Sequence, residues 1–219
     1  MKNRKIFIFC IAIALAQLVA AAILYRYLPD LIPSHWDAAG NINGFSATWT
    51  LFIFPAFTLL FTLLIQALPK IDPKGKNVEK SALLPITQVS VAVLMTIVMA
   101  IVLAASFGIS MPVNVIIPLI IGLMFVLMGS YMPKVKQNYS VGLRLPWTLA
   151  SENVWVKTHK FGGYVFVISG VVFILGALIP APLNFILPLS VMTAGLIVTA
   201  VYSYREFKKE TSAERDKSV

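Results

Sequence analysis

Long apolar runs separated by short polar segments organise this chain. Six stretches are almost free of charge: Ile6–Leu28, Leu51–Leu68, Leu83–Phe107, Val113–Met132, Tyr164–Ile179 and Phe185–Tyr202. A helix needs about 20 residues to cross a hydrocarbon core of about 30 Å. Five of the six fit that length or nearly so; Tyr164–Ile179 is short and borrows Phe161-Gly162-Gly163. Lipid offers no partners to exposed peptide groups, so such stretches are helices. Their length and lack of alternation argue against a barrel. The pattern predicts an all-α membrane protein of six transmembrane helices.

Composition agrees. Of the 219 residues, 58% are hydrophobic and 12% charged, against about 25% charged in a soluble domain. The first stretch has a basic start (Lys2, Arg4, Lys5) and small residues at Ala20-Ala21-Ala22. Its apolar length exceeds the roughly 7–15 residues of a signal-peptide core, so it reads as an uncleaved helix. The single cysteine, Cys10, sits inside this helix. It has no partner for an internal disulfide and reads as a small hydrophobe.

Charge sets the orientation. All but Arg26 of the 18 Lys and Arg residues fall at the N-terminus, between spans two and three, between spans four and five, or in the C-terminal tail. The positive-inside rule therefore places both termini in the cytoplasm. It also accounts for the net charge of +9 without a nucleic-acid partner, although anionic lipid headgroups will be attracted to that face.

Two units follow: residues 1–70, a two-helix hairpin with a structured outer loop at 29–50, and residues 71–219, a four-helix unit with an inner loop at 133–163 and a basic tail continuing the sixth helix. Short links at Gly108–Pro112 and Pro180–Pro182 leave little room for function. Pro55, Pro85, Pro118 and Pro188 lie within spans and read as ordinary kinks. The spans hold no ionisable group at depth, which disfavours a pump or coupled transporter. Gln66, Gln88, Asn114 and Asn184 are among the larger polar side chains there, and these four lie mostly near span ends.

The outer loop is dense in turn formers. Pro29 and Pro33 end the helix and extend the backbone before them. Asp37 to Gly40 and Asn41 to Gly44 are turn signals. Ile32, Trp36, Ile42 and Phe45 are expected to pack as a small apolar cap. His35 with Asp30 and Asp37 matches no strong metal motif; His35 is expected to hydrogen-bond within the loop. His35, Trp36, Asp37 and Gly40 are the candidate contacts of this face.

The inner loop combines Lys134, Lys136, Asn138, Tyr139, Gly142, Arg144, Pro146 and Trp147 with a helical segment carrying Trp155 and His159. Gly142 permits positive φ. Arg144 can fork two donors to a phosphate, a carboxylate or helix-end carbonyls. Ser151 is an N-cap candidate, followed by Glu152 at the positive end of the helix dipole. The spacing predicts a short amphipathic helix, about Ser151–Phe161, along the membrane surface. Membrane anchoring explains Trp147, Trp155, Lys157 and Lys160. It explains Asn138, Gly142, Arg144 and Pro146 less well, and these suggest a docking surface. His159 lacks a neighbouring nucleophile and Ser151 lacks a local base, so no hydrolase set assembles. No cofactor or metal is expected.

The inner loop resembles the signature of the SdpI family of bacterial membrane proteins. The resemblance rests on Met132-Pro133-Lys134, Asn138-Tyr139, Gly142, Arg144, Pro146-Trp147-Thr148, Trp155, Thr158-His159 and Gly162-Gly163. The outer loop is similar to the small domain often found at the N-terminal end of such proteins, through Leu28-Pro29, Ile32-Pro33, His35-Trp36, Gly40 and Gly44-Phe45. Leu145 departs from the pattern, where a polar residue is common. The resemblance implies a non-enzymatic immunity protein of the bacterial cell membrane. It would resist a secreted toxic peptide and hold a cytoplasmic transcriptional repressor at the membrane. Two other readings stand beside it: a membrane enzyme or lipid-interacting protein using His35 or His159, and a small transporter lined by proline-kinked helices.

Overall fold

The computed structural model describes residues 2–217. Met1, Ser218 and Val219, and the side chains of Lys2 and Lys217 counted above among the basic residues, lie outside the described residues. Five of its helices are α1 (Lys2–Leu24), α2 (Ile53–Ile71), α4 (Leu83–Ser106), α5 (Val113–Tyr131) and α7 (Glu152–Gly176). The sixth long helix is α8 (Leu183–Lys217), and two single-turn helices, α3 (Gly75–Glu79) and α6 (Pro146–Ala150), sit in the connections. Among the described residues, six helical segments are long and apolar enough to cross a membrane. α8 carries the tail into a continuous helix, as expected.

Two expectations are corrected. The chain is mostly helical, not all-α: the connection between α1 and α2 is an antiparallel hairpin of β1 (Leu31–Trp36) and β2 (Ile42–Ala47). Pairing runs from Leu31 with Ala47 to Trp36 with Ile42, with irregularities between Pro33 and Trp36. Pro33 has no N–H for the ladder, which suits it to an irregular strand. The second correction concerns Ser151–Phe161. Residues 152–161 are not a separate short helix but the first turns of α7, which runs unbroken to Gly176. Glycine costs about 1 kcal/mol against alanine inside a helix, yet Gly162 and Gly163 do not break this one, because they face neighbours at close range.

That close range is the packing principle of the α5–α7 pair. A methyl group at Gly122 would lie 2.6 Å from the Gly170 carbonyl oxygen, and one at Gly129 would lie 2.7 Å from the Gly163 carbonyl oxygen. The reciprocal groups at Gly163 and Gly170 would meet the Gly129 and Gly122 carbonyls at 2.8 and 2.6 Å. Lipid removes the hydrophobic drive between helices, and small residues let backbones approach and gain dispersion contacts. Phe125 fills the flank, edge-to-face with Phe166 and Phe173 at 5.5 and 5.6 Å between ring centroids. α8 packs on the other side of α7.

α1, α2 and α4 form the second cluster. Its core joins Ala21, Ile32, Leu51, Met99 and Val102, with Leu28, Trp36 and Phe52 against it. Ile32 and Trp36 therefore seat the hairpin on the helix ends. Ile42 and Phe45 remain 41% and 60% exposed, so only half of the expected apolar cap forms. The hairpin also reaches across the molecule, where Asn184 at the start of α8 donates from Nδ2 to the Ala38 carbonyl at 3.0 Å.

Replacing Gly170 with Leu should force α5 and α7 apart and lower stability by about 3 kcal/mol. Thermal unfolding in detergent checks this against Leu178→Ala, an 81% exposed position, where little change is expected.

Candidate functional site

Two groups of polar side chains lie at opposite ends of the bundle. At the hairpin end, the turn between β1 and β2 is built around Asp37. Its Oδ1 accepts from the N–H groups of Ala39 and Asn41, both at 2.9 Å, and its Oδ2 accepts from the Asn41 amide at 3.1 Å. Gly40 closes the turn with φ of +89°, a region L side chains rarely adopt. The N–H and side-chain amide of Asn41, with the other N–H groups of the turn, hold the Asp37 carboxyl below its ordinary pKa. His35 Nδ1 meets Asn43 Oδ1 at 2.5 Å across the hairpin, the in-loop bond expected of it. Among the described residues, no three His, Cys, Asp or Glu side chains gather as metal ligands.

At the basic end, residues 132–151 fold into an ordered strap. Asn138, fully buried, makes the turn: its Oδ1 accepts from Ser140 N and Val141 N at 2.9 and 2.7 Å, and its Nδ2 donates to the Lys136 carbonyl at 2.9 Å. Such an Asx turn substitutes a side chain for backbone pairing. Trp155 is also fully buried. Its indole N–H donates to the Val135 carbonyl at 2.7 Å, and its ring stacks on His159 at 4.0 Å. Trp155 thus pins the strap from below and does not act as an interfacial anchor.

His159 holds the other side of the strap. Its Nε2 accepts from Leu143 N–H at 3.0 Å, and its Nδ1 faces the Trp155 carbonyl at 2.9 Å. A backbone N–H can only donate and a carbonyl can only accept, so the ring is neutral with hydrogen on Nδ1. Both nitrogens are occupied, which leaves His159 no free position for acid–base work. Gly142 passes directly over the ring with φ of +109°. A methyl group there would lie 2.2 Å from Nε2.

The remaining candidates complete the strap. Arg144 turns one Nη1 donor back to the Tyr139 carbonyl at 2.6 Å. The rest of its guanidinium lies on an exposed side chain. Pro146 opens α6, where a missing N–H costs nothing. Thr148 Oγ1 accepts from Leu145 N at 2.9 Å and lies 2.8 Å from the Leu143 carbonyl. Trp147 donates to Ser203 Oγ of α8 at 2.7 Å. Ser151 caps α7 by accepting from Val154 N at 3.1 Å.

Several partners were not singled out from the sequence. Asp72, just past α2, accepts from Lys74 N at 2.7 Å, Tyr139 N at 2.9 Å and Ser140 Oγ at 2.5 Å. Burial would push its pKa up, but the Ser140 hydroxyl and the Lys74, Tyr139 and Ser140 N–H groups hold the carboxyl below its ordinary value. Gln137 donates to the Thr148 and Leu149 carbonyls, both at 2.9 Å, and accepts from the Lys74 ammonium. On α8, Glu206 bridges Lys157 and Lys209 at 2.7 and 2.9 Å, and Glu210 accepts from Ser151 and Asn153. Asp72 had one legible signal: an acid among basic residues directly after a span. Gln137 had none.

Residues 134–204 match the model of the SdpI/YfhL protein family, and residues 12–59 match a domain of unknown function (DUF1648). Over 202 residues the chain is 29% identical to Immunity protein SdpI of Bacillus subtilis (strain 168), covering 92% of this chain and 96% of that protein. No solved structure matches.

Gly142→Ala should unseat Leu143 from His159 and cost at least about 2 kcal/mol in unfolding free energy. Asp72→Asn should also destabilise, and its effect carries a pH signature. A carboxyl with a depressed folded pKa contributes fully above its unfolded value near 4 and loses that contribution as pH falls through the folded value. The gap in unfolding midpoint between the wild type and Asp72→Asn should therefore be constant above about pH 4 and close below it.

Proposed function

We propose that the chain, a multi-pass protein of the cell membrane, is a member of the SdpI/YfhL family and an immunity protein giving resistance to a secreted peptide toxin. The observation that carries this reading is the relationship to an immunity protein along nearly the whole of both chains. The geometry supports it: the His159 ring is fully committed to holding the strap and Asp37 to closing the turn. No catalytic step is part of this reading.

The basic end faces the cytoplasm, by the positive-inside rule, and the hairpin end faces out. The hairpin then meets the toxin, with Ile42, Phe45 and Trp49 as its exposed apolar contacts and His35, Trp36, Asp37 and Gly40 shaping it. The separate family matches at 12–59 and 134–204 support a division of labour near residue 70. On the cytoplasmic side the strap is a rigid, basic surface. Tyr139 and Arg144 are exposed on it, while Asn138, Trp155 and His159 are buried beneath. That surface suits a cytoplasmic repressor held at the membrane, with Pro146 and Trp147 at its edge.

Expression in a toxin-sensitive bacterial host should raise survival under challenge with secreted peptide toxins. Asp37→Ala, which dismantles the hairpin turn, should remove most of that protection at equal membrane levels. Survival no better than the empty vector with the wild type would sink the immunity reading. Arg144→Ala should leave protection intact and weaken recovery of a small DNA-binding repressor from toxin-treated membranes.

A further inference from the structure

A crevice at the basic end is lined by none of the strap's candidate contacts. It lies between α2 and α4, beside α3, and has a volume of about 240 Å³. Gln88 of α4 forms its inner wall. This side chain is only 3% exposed, and its Nε2 has no hydrogen-bond partner. A buried amide donor left unpaired costs about 1–3 kcal/mol, so the position is unfavourable unless something supplies an acceptor. Lys70, exposed at the end of α2, and Gln66, one turn before it, line the same crevice. Gln66, Lys70 and Gln88 thus line one space, with Ile65, Leu84 and Pro85 as apolar walls.

We propose that this crevice binds the phosphate of a phospholipid headgroup, with Gln88 Nε2 and the Lys70 ammonium donating to its oxygens. This goes beyond the immunity reading and does not depend on it. The position fits. Gln88 lies five residues into α4 and Gln66 five residues from the end of α2, about 7.5 Å inside each helix end at 1.5 Å per residue. A headgroup entering at the helix ends places its phosphate there, and its chains follow the apolar wall into the bilayer. The volume is below the roughly 300–1,000 Å³ of sites for whole drug-sized molecules, which suits a headgroup with its chains left outside. Glu79 shares the rim. Phosphatidylglycerol carries such a phosphate on a small headgroup and serves as the probe.

The test is thermal unfolding of the delipidated protein in neutral detergent, with phosphatidylglycerol, diacylglycerol or inorganic phosphate added. At a hundredfold excess over its dissociation constant, phosphatidylglycerol should raise the wild-type midpoint by roughly 5 °C, and diacylglycerol, which lacks the phosphate, should not. Gln88→Leu should keep or raise the lipid-free midpoint, because the unpaired donor is gone, and lose most of the shift. Lys70→Gln, at an exposed position that leaves the fold intact, should lose at least half of it. A full shift with inorganic phosphate alone would support the same site with soluble phosphate as its ligand. Equal phosphatidylglycerol shifts in the wild type and both variants, or an equal shift with diacylglycerol, would overturn the proposal.

Discussion

The backbone contact between α5 and α7 is the interaction on which the rest depends. Two glycine pairs, Gly122 with Gly170 and Gly129 with Gly163, bring the helices together until a single methyl group would collide. In lipid this approach replaces the hydrophobic effect as the source of helix association. It also fixes where the chain leaves α5. Because Gly129 sits against Gly163, residues 132–135 emerge beside Trp155 and His159, and the indole can reach the Val135 carbonyl. The strap is thus an extension of helix packing. Its Asx turn, its positive-φ glycine and its neutral histidine are local solutions to crossing the top of a very tight helix pair.

This explains why the strap resists reading as a flexible loop. Several of its polar side chains face inward. Asn138, Thr148 and His159 are buried and paired. Tyr139 N is held by Asp72 from the neighbouring connection. Buried polar groups must be paired to be tolerated, and a fully paired network imposes one arrangement. The side chains left facing solvent, Arg144 and Tyr139 among them, are held on a stiff frame, which lowers the ordering cost of any partner that docks.

Much of the fold was legible because membrane spans are written in long apolar runs. Five of the six appeared at nearly their observed starting positions, and Ser151 announced the start of α7, which begins well before the expected fifth run. The continuation of α7 through Gly162 and Gly163 was not legible, because glycine signals a break unless the facing helix is known. The β-hairpin was hidden for a related reason. Its proline and irregular register blur the strand alternation, while Asp37 and Gly40 still marked the turn. In the strap, the rare residue types pointed to the right segment. Their roles did not follow, since Trp155 looked like a surface anchor and is buried, and Asp72 and Gln137 act across long sequence separations.

α8 is one helix of 35 residues, about 52 Å long at 1.5 Å per residue, against a hydrocarbon thickness of about 30 Å. Its first turn holds the hairpin through Asn184, and its far portion holds α7 through Glu206 and Glu210. One continuous helix thus ties the hairpin turn at one face to the first turn of α7 at the other, so the two faces share a single covalent rod as well as the glycine-packed centre.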